Sequence, residues 1–411
     1  MVQVQYTYMN TPGRSEKNVY NYSDANSAYS IADTALSNTF KTGNTQNKAG
    51  GSYQYSNKKY NFSAGLYYQY TTINSTQEQP SYSYINHAYT NLLPVASFQY
   101  KVSSTQNIHF NYIASTGIPS VYQLQDVINN SNPLQLSAGN PLLRQPYQHN
   151  FTLRYVTTNT ERHTSINTSL SANITQDQIT NNSIIATHDS IIRQNIILPQ
   201  GGQLSIPVNI NGYWNVRANV SYGLPIALIK CNLNLNINGG LSHNPGIINN
   251  QTNYDEKRTA GIGVNLNSNI SEYIDFIITS NTNISNDVNT LNTNLDNTYI
   301  NELTALKFNW LTKSGFIFNT EFNYTSNAGN AAGYNQDYAV WNISVGQKLF
   351  KKHLGDIRFT VYDVLNENNN IQHIVTESYI ADVRSSILQR YYLLTFTYKI
   401  RDFKKQNLGA Q

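Results

Sequence analysis

The chain has 411 residues, of which 12% are charged, 12% are aromatic and 39% are hydrophobic, and its formal net charge at pH 7 is +4. Its 32 tyrosines favour strands, whereas good formers of surface helices are scarce. The aromatic content and the mild charge exclude a disordered chain and do not indicate a nucleic-acid partner.

Alternation of apolar and polar residues recurs along the chain, in order, over residues 62–70, 166–174, 214–222, 229–241, 316–324 and 392–400. A period of two places apolar side chains on one face of a strand and polar side chains on the other. The run 229–241 is longer than the five or six residues usual for a soluble strand, at about the length that a tilted membrane-spanning strand needs.

The pattern predicts an all-β protein with about seventeen strands. They are expected over 1–9, 17–25, 43–56, 58–72, 89–103, 106–116, 146–158, 162–180, 208–222, 226–242, 252–269, 272–285, 298–312, 314–327, 336–350, 355–366 and 388–400.

The predicted connections alternate in length along the chain. Short turns are expected at 56–58, 104–106, 159–161, 223–225, 269–271, 312–314 and 351–353. Longer loops are expected near 26–42, 73–88, 117–145, 181–207, 243–251, 286–297, 328–335 and 367–387. Short turns at one rim and long loops at the other are typical of bacterial outer-membrane barrels. We therefore predict an antiparallel transmembrane β-barrel in the bacterial outer membrane, with lipid as the partner of its apolar face.

The parity of the strands bears on whether the barrel is complete. Complete single-chain bacterial barrels have an even number of strands with both ends at the periplasmic rim. Seventeen strands that end at the short-turn rim would begin with a descending strand, which predicts missing N-terminal strands and part of a 22-stranded barrel. The start, 1–5, also lacks the basic and apolar regions of a signal peptide.

The loop between the strands at 106–116 and 146–158 carries a proline-rich pattern. Pro119 and Ser120 predict a short helical turn over 120–126, with Ser120 as its N-cap. Asn140-Pro141 requires extended or turn geometry before the proline. We expect a structural role, folding the loop back to the rim, and direct contact with a solute is the alternative.

Charged residues on the polar face are expected to line the lumen, where they either face water and a plug or shape a solute path. They are Lys101, Arg154, Arg217, Lys230, Lys307 and Glu321.

Motifs of catalysis, nucleotide binding and metal binding are not found in the sequence. We therefore expect no enzymatic activity, no cofactor and no metal. The single cysteine, Cys231, excludes a disulfide within the chain, and no apolar run is long enough for a transmembrane helix.

The stretch 115–155 resembles the barrel domain of TonB-dependent receptors. There an R-A-P-S-like segment and a leucine precede a long loop that closes with G-N-P-x-L-K-P-E and a descending strand. The matching residues are Pro119, Ser120, Leu124, Gly139, Asn140, Pro141, Leu143 and Arg144. Arg144 stands for the lysine, and Gln145-Pro146 replaces Pro-Glu. Residues 201–214 are also similar to a subgroup described as outer-membrane β-barrel family proteins.

The resemblance implies a receptor that takes up large nutrients such as iron chelates, peptides or glycans. It implies an N-terminal plug, the TonB energy complex and a surface lipoprotein as partners, none of them identified in this sequence. Residues 1–411 are then one domain, the C-terminal part of the barrel, without the plug and first strands. A passive pore without a plug and a surface adhesin or binding barrel are the alternatives.

Overall fold

The computed structural model describes residues 1–34, 37–79, 82–130, 132–193, 196–268, 270–291, 293, 296–329, 335–350, 353–368, 371–375 and 380–400. Within them the strands are β1 (Val2–Lys17), β2 (Tyr20–Ser23), β3 (Ala28–Ala32), β4 (Asn38–Ser56), β5 (Tyr60–Gln79), β6 (Ser83–Lys101), β7 (Gln106–Thr116), β8 (Ile128–Asn129), β9 (Gln135–Ala138), β10 (Tyr147–Asn159), β11 (Thr164–Gln176), β12 (Gln178–Ile185), β13 (Ser190–Arg193), β14 (Ile196–Leu198), β15 (Gln203–Ile210), β16 (Tyr213–Ile226), β17 (Cys231–Ile248), β18 (Gln251–Ser268), β19 (Ile274–Asn289), β20 (Asn297–Leu311), β21 (Phe316–Ala328), β22 (Gln336–Leu349), β23 (Gly355–Tyr362), β24 (Ile371–Val375), β25 (Ile380–Arg384) and β26 (Tyr391–Tyr398). A short helix, α1 (Val121–Leu124), and a 3-10 turn (Ala227–Ile229) complete the described elements. None of the helices described is both long and apolar enough to span a membrane.

The main sheet has 20 strands. Four of them, β8, β9, β12 and β15, lie in the long connections. The other sixteen form one antiparallel wall in the order β1-β4-β5-β6-β7-β10-β11-β16-β17-β18-β19-β20-β21-β22-β23-β26. The all-β antiparallel architecture predicted from the alternation is confirmed.

The two faces of the wall differ in chemistry. One face of β17 carries Leu235, Ile237 and Leu241, which are exposed, and its register places Ile237 beside Ile262 of β18. The other face carries Asn236 and its polar neighbours. Residues of this polar face on β11, β16, β17, β18 and β19 line one cavity, and those on β20, β21, β22, β23 and β26 line another. A cavity shared by five adjacent strands requires a concave surface, so the polar face is the inner, lumen face.

The connections sort into two rims. At the short-turn rim they span 57–59, 102–105, 160–163, 227–230, 269–273, 312–315 and 350–354. At the opposite, long-loop rim several connections carry their own strands, among them the β2–β3 hairpin and β12 to β15. This is the asymmetry of an outer-membrane barrel.

Two predicted loops are strand instead. The predicted loop at 73–88 is wrong, because β5 and β6 stay paired as far as Gln77 and Ser83. The predicted loop at 243–251 is also mostly strand, because β17 and β18 close through Asn249 and Asn250 with φ of 48° and 64°. A two-residue turn with both φ positive matches the twist of a hairpin, and asparagine tolerates that conformation.

The predicted strand at 17–25 is wrong, and with it the parity argument. β1 runs on to Lys17, and residues 20–32 form the small β2–β3 hairpin within the loop that leads to β4. The wall therefore has sixteen strands rather than seventeen. β1 rises from the short-turn rim and β26 descends to it, so both edge strands meet the same rim.

Within the part of the chain that the structure describes, the wall is open along one seam. β1 pairs on one side only, with β4, and β26 pairs on one side only, with β23. Val4 and Leu394, which point outward from these edges, are 87% and 66% exposed. Each edge strand thus has one row of backbone groups that is free of sheet partners.

Candidate functional site

The connection between β7 and β10 folds as the proline pattern predicts. α1 begins after Ser120, whose hydroxyl accepts a hydrogen bond from Gln123 N at 3.3 Å. The Gln123 side chain accepts one from Ser120 N at 2.8 Å in return. This capping box supplies side-chain acceptors to two backbone donors at the start of the helix, where no preceding turn can do so. The predicted N-cap at Ser120 after Pro119 is confirmed.

Two leucines of this loop anchor it to the inner wall. Leu124 and Leu143 are each 1% exposed and pack with Ile73 of β5, which is fully buried. Tyr89 of β6 donates its hydroxyl to the carbonyl oxygen of Leu143 at 2.7 Å. Because Ile73 and Tyr89 lie on the lumen face, the loop folds inward over the mouth of the lumen. We call residues 117–146 the mouth loop.

Gly139 and Asn140 hold the two halves of the mouth loop together. A Cβ on Gly139 would lie 2.1 Å from the carbonyl oxygen of Gln125, so only glycine fits there. The Asn140 backbone N–H donates to Gln123 at 2.6 Å, and its side-chain amide donates to the carbonyl oxygen of Pro207 at 2.9 Å. Gly139 thus permits two backbone segments to approach closely, and the hydrogen bonds of Asn140 hold them together.

Pro141 and Arg144 continue the loop back to the wall. Pro141 precedes Leu142, whose N–H bonds the Asn140 side chain at 2.9 Å. The Arg144 guanidinium pairs with Asp177 at 2.6 Å. Asp177 has a φ of 51°, a conformation that ends β11. The predicted strand over 162–180 is therefore two strands, β11 and β12, which meet at this residue.

A second long connection, between β11 and β16, packs against the first. β9 of the mouth loop pairs in parallel with β15, and a core of Ile128, Leu136, Leu198 and Leu204 joins them. Between these loops and the upper end of β1 lies a cavity of ≈590 Å³. Its lining includes Tyr122, Gln123, Asn181 and Ser205. The long-loop rim is therefore roofed by packed loops with a polar opening beneath them.

Five of the six lumen residues named from the sequence lie on the lumen face of the wall. Lys101, Arg154 and Arg217 lie on the lumen face of β6, β10 and β16, as predicted. Lys307 and Glu321 lie on the lumen face and form an ion pair at 3.1 Å.

The prediction for Lys230 is wrong. This residue lies in the turn between β16 and β17 with a φ of 51°, where it ends the 3-10 turn at the short-turn rim. A residue in the left-handed conformation leaves the strand alternation, so its side chain no longer belongs to either wall face.

The sequence interpretation missed several lumen cations, among them Lys257 of β18, Arg358 of β23 and Lys48. Lys48 of β4 lies on the lumen face with its ammonium 4.6 Å from the centre of the Tyr67 ring. It lies within the predicted strand 43–56, so extending the alternation from Tyr53 and Tyr55 would have assigned it to the polar face.

Comparisons with known proteins give one family and remote likenesses to solved structures. The family profile described as outer membrane protein beta-barrel family matches residues 9–279 and 241–398. No curated protein matches the chain. OmpT, an outer membrane protein of Vibrio cholerae, is 9% identical with a TM-score of 0.32, over 82% of this chain and 92% of that chain. The β domain of the Bordetella autotransporter BrkA is 8% identical with a TM-score of 0.22, over 78% and 92%. Both scores are too low to support an argument.

Proposed function

The chain belongs to the outer membrane protein beta-barrel family, and we propose that it is the barrel wall of a TonB-dependent receptor that takes up a large nutrient. Its place is the bacterial outer membrane, as for its family. The receptor function itself rests on the resemblance over 115–155 and on how that stretch folds.

The mouth loop is the observation that carries the proposal. Passive diffusion requires an unobstructed lumen, whereas this loop is fastened over the lumen mouth by buried Leu124 and Leu143. Truncating such a leucine to alanine costs about 2–5 kcal/mol. A loop held over the mouth by contacts of that size favours a gated receptor over a passive pore.

The open seam leaves the wall unclosed within the part of the chain that the structure describes. In hydrocarbon, every backbone N–H and C=O needs a partner, so spanning sheets close on themselves. β1 and β26 lack that partner in the described wall. Since β1 rises and β26 descends, an antiparallel insertion between them takes an even number of strands.

Conductance and uptake test the proposal together. The protein that carries this barrel, purified into planar bilayers, is expected to stay closed, whereas a passive pore conducts steadily. In cells, deleting this protein and deleting TonB should abolish growth on the same members of a panel of iron chelates, peptides and glycans. Growth that depends on this protein but persists without TonB would overturn the proposal in favour of the passive pore.

A further inference from the structure

Carboxylates are distributed unevenly around the wall. The nine consecutive wall strands from β1 to β17 (β1, β4–β7, β10, β11, β16 and β17) contain only two, Glu16 and Glu78. Both lie at the long-loop ends of their strands and are ion-paired, Glu16 with Arg14 at 3.2 Å and Glu78 with Lys41 at 2.6 Å. The hydrogen bond from Lys41, well above the membrane, lowers the pKa of Glu78. Neither carboxylate is available to the lumen below.

Below the long-loop end of β1, where Lys17 donates to the Asn129 side chain at 3.4 Å, four cations nevertheless lie on the lumen face of these nine strands. They are Lys48, Lys101, Arg154 and Arg217, which we call the cationic wall. Their described contacts are with neutral groups: Lys48 with the Tyr67 ring, and Arg154 Nε with the Asn167 side chain at 3.1 Å. In the part of the chain that the structure describes, none of the four has a carboxylate partner.

The remaining seven wall strands, β18 to β23 and β26, have the opposite character. Their eight carboxylates are Asp255, Glu256, Asp275, Asp287, Glu302, Glu321, Asp337 and Asp356. Three of their lumen-facing cations are paired: Lys257 with Asp287 at 3.2 Å, Lys307 with Glu321 at 3.1 Å, and Arg358 with Asp356 at 2.9 Å. Charge in this half is neutralised within the wall, whereas charge in the first half is not.

The two arginines of the cationic wall lie close enough to act on one solute. Arg154 and Arg217 flank β11, opposite Ser169 and Ser171 respectively. Two strand spacings and two residues of offset put their Cα atoms about 12 Å apart. Arg217 lines a concavity of ≈390 Å³ whose other polar groups include Ser169, Ser171 and Asn283. Each guanidinium therefore lies beside hydroxyls or amides of the lumen face, Arg217 beside Ser169 and Ser171 and Arg154 beside Asn167.

The simplest explanation for such lysines and arginines is that they are solvated residues of the wall. That explanation does not predict that the unpaired cations collect in one half of the wall. Clefts lined by one sign of charge with low-dielectric walls focus the field and concentrate counter-ions. Guanidinium groups bind carboxylate and phosphate in a bidentate manner. We infer that the cationic wall is a binding surface for polyanions that bear carboxylate or phosphate groups. The inference rests on the proposed function, because it takes the lumen as the route of the solute.

Titration with defined anions tests the inference. The protein that carries this barrel, folded in detergent micelles, is titrated calorimetrically with citrate and with pyrophosphate. We expect at least one of the two to bind, with an affinity that falls as salt is added, and the anion that binds more tightly identifies the preferred group. Arg154→Gln with Arg217→Gln should weaken binding about tenfold or more, as expected for lost charge-assisted hydrogen bonds.

A matched control separates local binding from net charge. Lys307→Gln with Arg358→Gln removes two charges from the paired half and should leave the affinity within about twofold. Equal weakening by both double variants, or no binding of either anion to wild type, would overturn the inference. Heat-modifiable gel mobility verifies that each variant is folded.

Binding in micelles requires no TonB. Failed binding therefore leaves the uptake proposal standing, and TonB-independent uptake leaves the anion site standing.

Discussion

Replacing Ile237 with arginine places a charge on the outward face of β17, half-way across the membrane. Ile237 lies six residues from Cys231, the short-turn end of the strand, and is 60% exposed. A rise of about 3.3 Å per residue and a tilt of about 40° place it about 15 Å from that rim. The apolar band of such barrels is about 25 Å tall, so the position is near its middle.

The expected loss of stability follows from this depth. Arginine on the lipid face at the midplane costs about 2–4 kcal/mol, because the guanidinium loses its hydration. Its neighbour Asn238 points into the lumen and lines the ≈390 Å³ concavity, so Asn238→Arg keeps its charge in water and should change stability by less than about 0.5 kcal/mol.

Equilibrium unfolding in phospholipid vesicles, followed by tryptophan fluorescence, measures both values. The chain has three tryptophans, which report on the wall. A loss of the same size for both variants would refute the assignment of lipid and lumen faces, as would a larger loss for Asn238→Arg.

Two further predictions concern the mouth loop. Gly139→Ala should destabilise the packed loop by about 1–3 kcal/mol, because the added Cβ would overlap Gln125. The measurement is the rate of protease cleavage within 117–146 of the folded barrel, which should rise. A variant as resistant as the wild type would contradict the prediction. Leu143→Ala should cost about 2–5 kcal/mol of loop stability, whereas Leu142→Ala, at a side chain 81% exposed, should change it by less than about 0.5 kcal/mol. Hydrogen exchange of the loop amides measures the difference, and equal protection in both variants would contradict the buried anchor.

The wall was largely predictable because its signal is local. Each strand has its own alternation, as at Leu235 and Ile237 against Asn236, and this alternation does not depend on which strands it pairs with. Strand ends depend on single backbone conformations that alternation does not encode. Asp177 ends β11, and Asn249 with Asn250 reverses the chain, each through positive φ. Lys230 left the predicted lumen face for the same reason.

The predicted number of strands is wrong because one loop segment has the same alternation as a wall strand. Tyr20 and Tyr22 alternate with polar residues, yet this hairpin pairs only with itself above the rim. Tertiary pairing decides whether such a segment joins the wall, and the sequence of the segment alone does not encode that pairing. The Ser120 cap was predictable, since capping is a contact between residues three apart. The anchor of Leu143 on Ile73 was not, because those residues meet only after β5 and β6 have paired.

The charge separation around the lumen also needed the structure. Each cation is visible in the sequence, but whether it has an anion beside it depends on the register between strands. Lys307 meets Glu321 directly across β20 and β21, whereas Arg154 faces Ser169 across β10 and β11.

The central claim, a wall with lipid on one face and water on the other, is tested most directly by spin labels along β17. In a Cys231→Ser background, single cysteines at positions 234 to 241 carry the label in vesicles. Collision with oxygen, which dissolves in lipid, should peak at Leu235, Ile237 and Leu241, and collision with a water-soluble nickel chelate should peak at Asn234, Asn236 and Asn238. Profiles that rise and fall together, or show no period of two, would contradict a membrane-spanning wall.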